Sequence, residues 1–196
     1  MRKIFTYIFG IILFCLSCKT QEKYQQEIID NNSKFSIGDS LSYELCQMYG
    51  LDQGVRARGM NYFNEISKLD SINFMKLVNI VKIYGFPNEN LLGHKNMNTE
   101  CVSATAVCIL LHNPHFLVNN KYYFDIFLEE VNKGNLERNT FATILDKYYW
   151  SKNKGKVLYG SQFGMPCIET KVETNKARLE IGLNILPDSL FSKCDK

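Results

Sequence analysis

The chain has 196 residues, a formal net charge of +3 and a hydrophobic content of 45%, which is enough for one folded domain with its own core. Its basic residues are scattered and do not alternate with aromatic residues, which argues against nucleic acid as a partner. The cysteines after Cys18 form no Cys-x-x-Cys pair, so they give no sign of a zinc knuckle.

The first 17 residues have the pattern of a secretory signal. Basic Arg2 and Lys3 precede an apolar run of about 13 residues, from Ile4 to Leu16, and Ser17-Cys18 follows. That run is shorter than the roughly 20 residues with which a helix crosses a bilayer. A small residue directly before a cysteine resembles the cleavage site of bacterial lipoproteins. We therefore predict a signal peptide over residues 1–17 and lipid on Cys18, with a plainly cleaved, soluble product as the alternative.

Residues 18–37 are predicted to form a flexible tether. The stretch from Lys19 to Asn32 is rich in Gln, Glu, Lys and Asn and cannot bury much apolar surface. Such a tether holds a globular domain, residues 38–196, away from the membrane. The predicted localisation is the bacterial cell envelope, with the protein anchored to a membrane through lipid on Cys18.

Hydrophobic spacing predicts helices along most of the domain. A first helix is expected over Ser40–Met48 and a second over Asp52–Ile66. A third begins at Asp70 as its N-cap, and Gly85 supplies its C-terminal stop. Capping in the first turn of this third helix accounts for both Asp70 and Asn73.

The segment Glu100–Leu111 is apolar or small on nearly every side, which predicts a central, buried helix. Val107 and Leu110 are expected to be nearly inaccessible, and Pro114 ends this helix just past His112. Later helices are predicted over residues 124–131, from Thr140 to Tyr148, and from Asn175 to Ile181.

The hydrophobic pattern changes from helical spacing to a strand-like one between the last two of these helices. Lys156–Phe163 reads as a strand with Gly160 at a bulge, and Met165–Val172 reads as its partner. The predicted fold class is therefore mainly α, a compact helical domain with one small β-hairpin near the C-terminal end.

Five cysteines follow Cys18, at positions 46, 101, 108, 167 and 194. Cys101 and Cys108 are two helical turns apart, about 10 Å, which is too far for a disulfide. Both are predicted to be small core residues. A disulfide joining Cys167 to Cys194 or to Cys46 would suit an oxidising compartment, and the sequence does not choose between them.

Short polar motifs at the predicted helix ends form an ordered series. In chain order they are Asp52-Gln53-x-x-Arg56, Asp70-x-x-Asn73, Gly85-Phe86-Pro87, Gly93, His112, Asp146-Lys147, Tyr159-Gly160-Ser161-Gln162 and Arg178-x-x-x-Gly182-Leu183. The series resembles a bacterial family catalogued as domain of unknown function 6624, over about residues 44–186.

The chain departs from that family at several positions. The family usually has Trp at Phe86, Arg at Lys147, Thr at Ser161, Gln at Leu111 and a further Arg at Ala177. The change at Lys147 removes the bidentate geometry of a guanidinium. The family has no established activity, so the resemblance implies a fold and a set of residues and assigns no chemistry.

Four of these residues are candidates for chemistry. His112 could act as a general acid or base, with Asp52 as its carboxylate, or it could simply cap helix carbonyls. Arg56 could bind an anionic ligand group through its planar fork, with Gln53 as a further donor. Alternatively, the Asp52 and Arg56 pair, four residues apart, braces its own helix.

Tyr159 and Gln162 are read as donors to a ligand or to a buried backbone group. We predict that they converge with Asp52, Gln53, Arg56 and His112 on one cleft that binds a small anionic ligand. A serine nucleophile at Ser161 is not favoured, because the Gly-x-Ser-x-Gly elbow is absent. No metal or cofactor is predicted, since Pro114 interrupts the pair formed by His112 and His115.

Two classes of function remain open. The first is a tethered module that binds a small ligand or a partner protein, and it is preferred because no known catalytic signature is present. The second is an acid–base enzyme, hydrolase-like, that uses His112 with a nearby carboxylate. An enzyme should gather His112, a carboxylate and an Arg or Gln donor within hydrogen-bond reach in a pocket. A pure binding module could instead show an open apolar groove, with these residues locked in salt bridges elsewhere.

Overall fold

The structure is a computed structural model that describes residues 36–59, 62–153 and 155–194. The predicted signal peptide, Cys18 and nearly all of the predicted tether lie outside the described residues. The described residues fall into two compact units, one ending at Ser40 and the other beginning at Leu41. In the described part of the chain, no helix combines the length and the hydropathy needed to span a membrane.

Helices dominate the described residues. In chain order they are α1 (Ile37–Arg56), α2 (Phe63–Tyr84), α3 (Glu89–Leu92), α4 (His94–Met97), α5 (Glu100–Ser103), α6 (Thr105–His112), α7 (Pro114–Asn119), α8 (Lys121–Asn132), α9 (Arg138–Lys152) and α10 (Lys171–Glu180). Two 3-10 turns, Ile168–Thr170 and Asp188–Leu190, complete this part of the chain. The mainly α fold class is thus confirmed.

The first two predicted helices have different boundaries in the structure. One helix, α1, covers residues 37–56, and the chain turns at Gly59, whose φ of 83° suits a left-handed stop. The helix α2 then starts at Phe63 and not at Asp70. No Gly or Pro interrupts the chain between Phe63 and Tyr84, so nothing ends the helix before Asp70. Capping by Asp70 and Asn73 was therefore the wrong interpretation, whereas the predicted stop at Gly85 is confirmed.

The core lies where α2 meets α6 and α8 and where α9 meets α6 and α7. Leu110 of α6 is fully buried, as predicted, but Val107 is only half-buried. The predicted helix is also divided at Ala104 into α5 and α6, and Pro114 starts α7 at its first position. The largest fully buried side chains include Phe74, Leu77, Ile109, Leu117, Phe127, Phe141, Ile144 and Leu145.

The predicted β-hairpin is not formed. The described residues contain no strand, and their one β-bridge is isolated and joins Cys167 to Ser192 in parallel. The backbone N–H groups of Leu158, Tyr159 and Ser161 are bound by the carboxylate of Asp146 and so need no partner strand. The predicted second strand is instead a 3-10 turn followed by the start of α10.

Two disulfides hold the helices and the C-terminal segment. Cys46 on α1 pairs with Cys101 on α5, with Cα atoms 4.7 Å apart. Cys167 pairs with Cys194, with Cα atoms 5.2 Å apart, which is one of the two pairings the sequence left open. Cys108 is a free thiol. The expectation that Cys101 is a simple core residue was wrong, because α1 brings Cys46 within bonding distance.

Candidate functional site

Three helices bring four charged or titratable side chains together. Asp52 and Arg56 lie one turn apart at the end of α1, Asp70 lies in the first half of α2, and His112 is the last residue of α6. We call these four residues the Asp52 cluster. Contacts between these helices therefore make a group of side chains from positions as much as 60 residues apart.

Asp52 is the buried centre of the cluster, with 2% of its surface exposed. One carboxylate oxygen accepts a hydrogen bond from Gln53 Nε2 at 2.7 Å. The other lies 3.0 Å from Nδ1 of His112 and 3.3 Å from Nη2 of Arg56. Burial alone raises the pKa of Asp52. However, the hydrogen bond and charge of His112, the charge of Arg56 and the Gln53 donor outweigh burial and hold that pKa below its ordinary value of 3.8.

Arg56 is shared between two carboxylates. Its Nη2 lies 2.5 Å from Asp70 Oδ1 as well as 3.3 Å from Asp52 Oδ1. The guanidinium is therefore already neutralised within the protein and has little capacity left for an anionic ligand. The Asp52–Arg56 pair therefore does not only stabilise its own helix, α1. Through Asp70, Arg56 also connects α1 to α2.

The imidazole of His112 has two alternative partners at one nitrogen. Nδ1 lies 3.0 Å from Asp52 Oδ1 and 3.3 Å from Nε of Arg56. A protonated Nδ1 donates to Asp52, whereas an unprotonated Nδ1 accepts from Arg56. Both tautomers consequently have a partner, and the ring is held in place while the proton changes nitrogen.

Neighbouring polar contacts fix the helix that carries His112. Asn113 Nδ2 donates to the carbonyl oxygens of Asp70, at 3.2 Å, and of Ile109, at 2.9 Å. At the other end of α6, the Thr105 hydroxyl donates to Leu45 O of α1 at 3.1 Å. These contacts tie α6 to α1 and α2, so His112 is positioned from both ends of its helix.

Cys108 stands one helical turn before His112, and the charges of Asp52 and Arg56 both act on its thiol. Burial raises the pKa of Cys108, and the Asp52 charge raises it further while Arg56 opposes this. The thiol is thus held in its protonated, less nucleophilic form. Cys108 was predicted only as a core residue, and its helical position relative to His112 was the signal for this proximity.

Tyr159 and Gln162 lie in the segment between α9 and α10. Tyr159 is buried, its ring lies 6.3 Å from that of Tyr149, and burial raises its pKa. Gln162 is exposed on the rim of a cavity that Arg178 also lines. No hydrogen bond found among the described residues joins either side chain to the Asp52 cluster. The structure brings Asp52, Gln53, Arg56 and His112 together, and the convergence of Tyr159 and Gln162 on the same cleft stays a prediction.

The segment that carries Tyr159 is organised by Asp146 and Arg178. Asp146 is fully buried and accepts backbone N–H groups from Leu158 at 2.8 Å, Tyr159 at 2.7 Å and Ser161 at 3.0 Å. Burial raises the pKa of Asp146 in spite of these three donors. Arg178 donates to Tyr159 O, so Asp146 holds this segment through its N–H groups and Arg178 holds it through a carbonyl oxygen.

Asp52, Asp70 and His112 could also be considered as metal ligands. One ligand atom from each lies within 4.8 Å of the other two. The Arg56 guanidinium, however, lies within 3.3 Å of all three atoms and already supplies the positive charge. A second group, formed by Cys167, Glu169 and Cys194, has both its sulfurs in a disulfide. Neither set of residues therefore fits a metal as arranged.

Asp70 is the member of the cluster that sequence reasoning missed. The signal was present in the spacing, because Asp70 lies four residues before Phe74 and seven before Leu77, on the inward row of α2. A charged residue on an inward row needs a partner, and Arg56 is that partner.

Comparison with known proteins gives no further assignment. No family model matches the chain, and no curated protein or solved structure matches it. The resemblance to the family of domain of unknown function 6624 therefore stays a prediction, and the chemistry of the site is argued from its geometry.

Proposed function

We propose that the chain is a lipoprotein of the bacterial cell envelope, anchored to a membrane through lipid on Cys18. The support is the basic, apolar and Ser17-Cys18 pattern of its first residues. The pairing of four cysteines in two disulfides adds independent support, because disulfides persist in oxidising compartments outside the cytosol.

For the exported domain we propose acid–base catalysis at His112. The observation that carries this proposal is the 3.0 Å contact between His112 Nδ1 and the buried carboxylate of Asp52. An Arg and a Gln donor, Arg56 and Gln53, stand within hydrogen-bond reach of the same carboxylate. This grouping of side chains is one part of what an enzyme requires, and the other part is a pocket that admits the substrate.

The geometry assigns a role to each member of the cluster. Asp52 accepts a hydrogen bond from Nδ1–H of His112, which leaves Nε2 unprotonated and able to take a proton from a substrate. The His112 side chain is 29% exposed, so substrate can approach the ring. After Nε2 has taken the proton, the ring is an imidazolium whose Nδ1–H still donates to Asp52, and its Nε2–H is the acid that returns the proton. Asp70 offsets the Arg56 charge and positions the guanidinium.

A ligand-binding module is the second candidate, favoured by the cavity that Gln162 and Arg178 line. The two candidates use different residues, so variants can separate them. A binding module would retain its ligand after His112→Ala, whereas an acid–base enzyme would lose turnover.

The catalytic proposal is tested by hydrolysis of p-nitrophenyl acetate by the full-length chain in non-ionic detergent. We expect His112→Ala to lower the rate about 100-fold and Asp52→Asn about 10-fold, as for loss of general acid–base assistance. His94→Ala is the matched control, because His94 Nδ1 lies 2.9 Å from Glu89 Oε1 in a pair that is 75% and 63% exposed. A rate no higher than that of free imidazole, or an equal loss in the control, would overturn the proposal.

Membrane localisation through lipid on Cys18 is tested separately with the variant Cys18→Ser. Wild-type chain should be recovered with membranes and should incorporate radiolabelled palmitate. The variant should lose the label and appear either unprocessed or in the soluble exported fraction. Equal membrane retention and equal labelling of wild type and variant would refute lipid attachment at Cys18.

A further inference from the structure

A cavity of about 510 Å³ lies beside α6, and no residue of the Asp52 cluster lines it. Val107 and Leu111 line it, and they occupy the helical row next to that of Cys108 and His112. The wall also includes residues between α9 and α10 and residues of α10. Its polar side chains there are Ser161, Gln162 and Arg178. Its volume lies within the range of roughly 300–1,000 Å³ that is usual for small-molecule sites.

Arg178 forms no ion pair with any described residue, although it is partly buried. Its Nε donates to Asn184 O at 2.7 Å and its Nη1 donates to Tyr159 O. These two bonds fix the plane of the guanidinium, and Nη2 has no partner among the described residues. The buried Asp146 acts on Arg178 through space, but its oxygens already accept three backbone N–H groups.

The other polar residues of the wall are neutral. None of the residues that line the cavity is acidic, and the Gln162 amide makes no hydrogen bond to a described residue. Asn139 and Thr140 bring the first turn of the 15-residue helix α9 into the wall, where the helix dipole adds positive potential. Glu137 before that helix offsets part of this potential and does not line the cavity.

The two arginines are therefore not equivalent as anion sites. Arg56 already contacts the carboxylates of Asp52 and Asp70. Arg178 forms no ion pair with a described carboxylate, although the charge of Asp146 acts on it through space, and it has a fixed orientation and an adjacent empty volume. An anionic ligand gains a new charge-assisted contact at Arg178 but would have to displace an existing one at Arg56.

We propose that this cavity binds a small organic monocarboxylate, with the carboxylate on Arg178 and Gln162 and the apolar body against Val107 and Leu111. One guanidinium with one neutral amide balances a single negative charge, which favours a carboxylate over a phosphate dianion. The aliphatic side chains on the α6 side give no hydrogen bonds, so that part of the ligand is apolar.

The test is calorimetric titration of the full-length chain in non-ionic detergent with benzoate, uncharged benzamide and inorganic phosphate. Benzoate should bind at least about 10-fold more tightly than benzamide, because only benzoate carries the charge that Arg178 recognises. Phosphate should bind more weakly than benzoate. Absence of benzoate binding, equal binding of benzamide, or a preference for phosphate would each overturn the proposal.

Variants locate the site. Arg178→Gln should weaken benzoate binding about 10-fold or more, and Gln162→Ala about 3-fold. Lys176→Gln is the control, since it removes a cation from the same helix without touching this cavity, and it should change affinity by less than about 2-fold. Because Arg178 also holds Tyr159, Arg178→Gln could fail to fold. Gln162 makes no such contact, so unchanged affinity in Gln162→Ala refutes the assigned position on its own.

Discussion

Asp52 and Asp146 are both buried aspartates, with 2% and 0% of their surfaces exposed, and they are satisfied in opposite ways. Asp52 is held by the side chains of Gln53, Arg56 and His112. Asp146 is held by three backbone N–H groups of the segment that follows α9. The pKa of Asp52 is lowered, whereas burial raises the pKa of Asp146.

The difference follows from what surrounds each carboxylate. Asp52 lies among helices, whose interior N–H groups are already bonded to carbonyls four residues earlier. Only side chains can stabilise it there, and those side chains bring protons and charge of their own. Asp146 faces an irregular segment with free N–H groups, which fix the backbone but transfer no proton. We infer that a buried acid between helices recruits groups capable of chemistry, whereas one beside a loop serves mainly to shape it.

The largest effect is expected from Asp146→Ala. It leaves the N–H groups of Leu158, Tyr159 and Ser161 buried or partly buried without an acceptor, and we expect a loss of about 3–5 kcal/mol in unfolding free energy. Urea denaturation followed by circular dichroism measures this. Asp146→Asn keeps one carbonyl acceptor and should lose less. A loss below about 1 kcal/mol for Asp146→Ala would show that these N–H groups find other acceptors.

The two disulfides give the next effect. Each should contribute about 2–4 kcal/mol, and the one that closes the longer loop should contribute more. Cys46 and Cys101 are 55 residues apart, and Cys167 and Cys194 are 27 apart. Replacing each pair by Ala should therefore cost about 0.6 kcal/mol more for the first pair. If urea denaturation gave equal losses of unfolding free energy, or a larger loss for the second pair, the stabilisation would not come from loop closure.

A smaller loss is expected from Asp52→Asn, about 1–2 kcal/mol, because Arg56 and His112 are partly exposed and solvent offsets part of the lost pairing. Asp125→Asn is the control. Asp125 pairs with Lys121 at 2.6 Å, but the two side chains are 50% and 79% exposed, so its loss should stay below about 0.5 kcal/mol. Similar losses of unfolding free energy for the two variants would show that the buried Asp52 contacts stabilise the fold no more than an exposed ion pair does.

The smallest effect is a difference in pH dependence. The pKa of Asp52 lies below 3.8 in the folded state, so its contribution is present above about pH 4 and is lost as the pH falls through the folded value. The pKa of Asp146 lies above 3.8, so its stabilising contribution exists at lower pH and is lost as the pH rises through the folded value.

Stability curves between about pH 2 and pH 6 should therefore change in opposite directions for the two variants. Asp52→Asn should lessen the loss of stability on acidification, and Asp146→Asn should lessen the loss as the pH rises. Curves that stay parallel to wild type for both variants would contradict the two pKa directions.

Local signals in the sequence predicted much of the helical fold. The stop at Gly85 and the end of α6 at His112 both follow from residues that lie next to each other in the chain. The spacing of Asp52 and Arg56 likewise predicts their contact. Spacing places Asp70 on the inward row of α2, but its partner Arg56 was missed because that contact depends on how α1 and α2 pack.

The C-terminal segment shows the opposite case. Alternating apolar residues around Tyr159 predict an extended chain, and that pattern does not distinguish a paired strand from an irregular segment. The segment is irregular because the carboxylate oxygens of buried Asp146 accept hydrogen bonds from the N–H groups that a partner strand would otherwise have bound.

The bond between Cys46 and Cys101 has a consequence for the integrity of the site. Asp52, Arg56 and Asp70 all lie between the two bridged positions. A protease that cuts the chain once anywhere in that interval therefore leaves one covalent molecule, whose two pieces separate only when the sulfurs are reduced. Nicked and intact protein should accordingly migrate together on a non-reducing gel and differ on a reducing one, with the site's three charged residues still attached to the remainder of the domain.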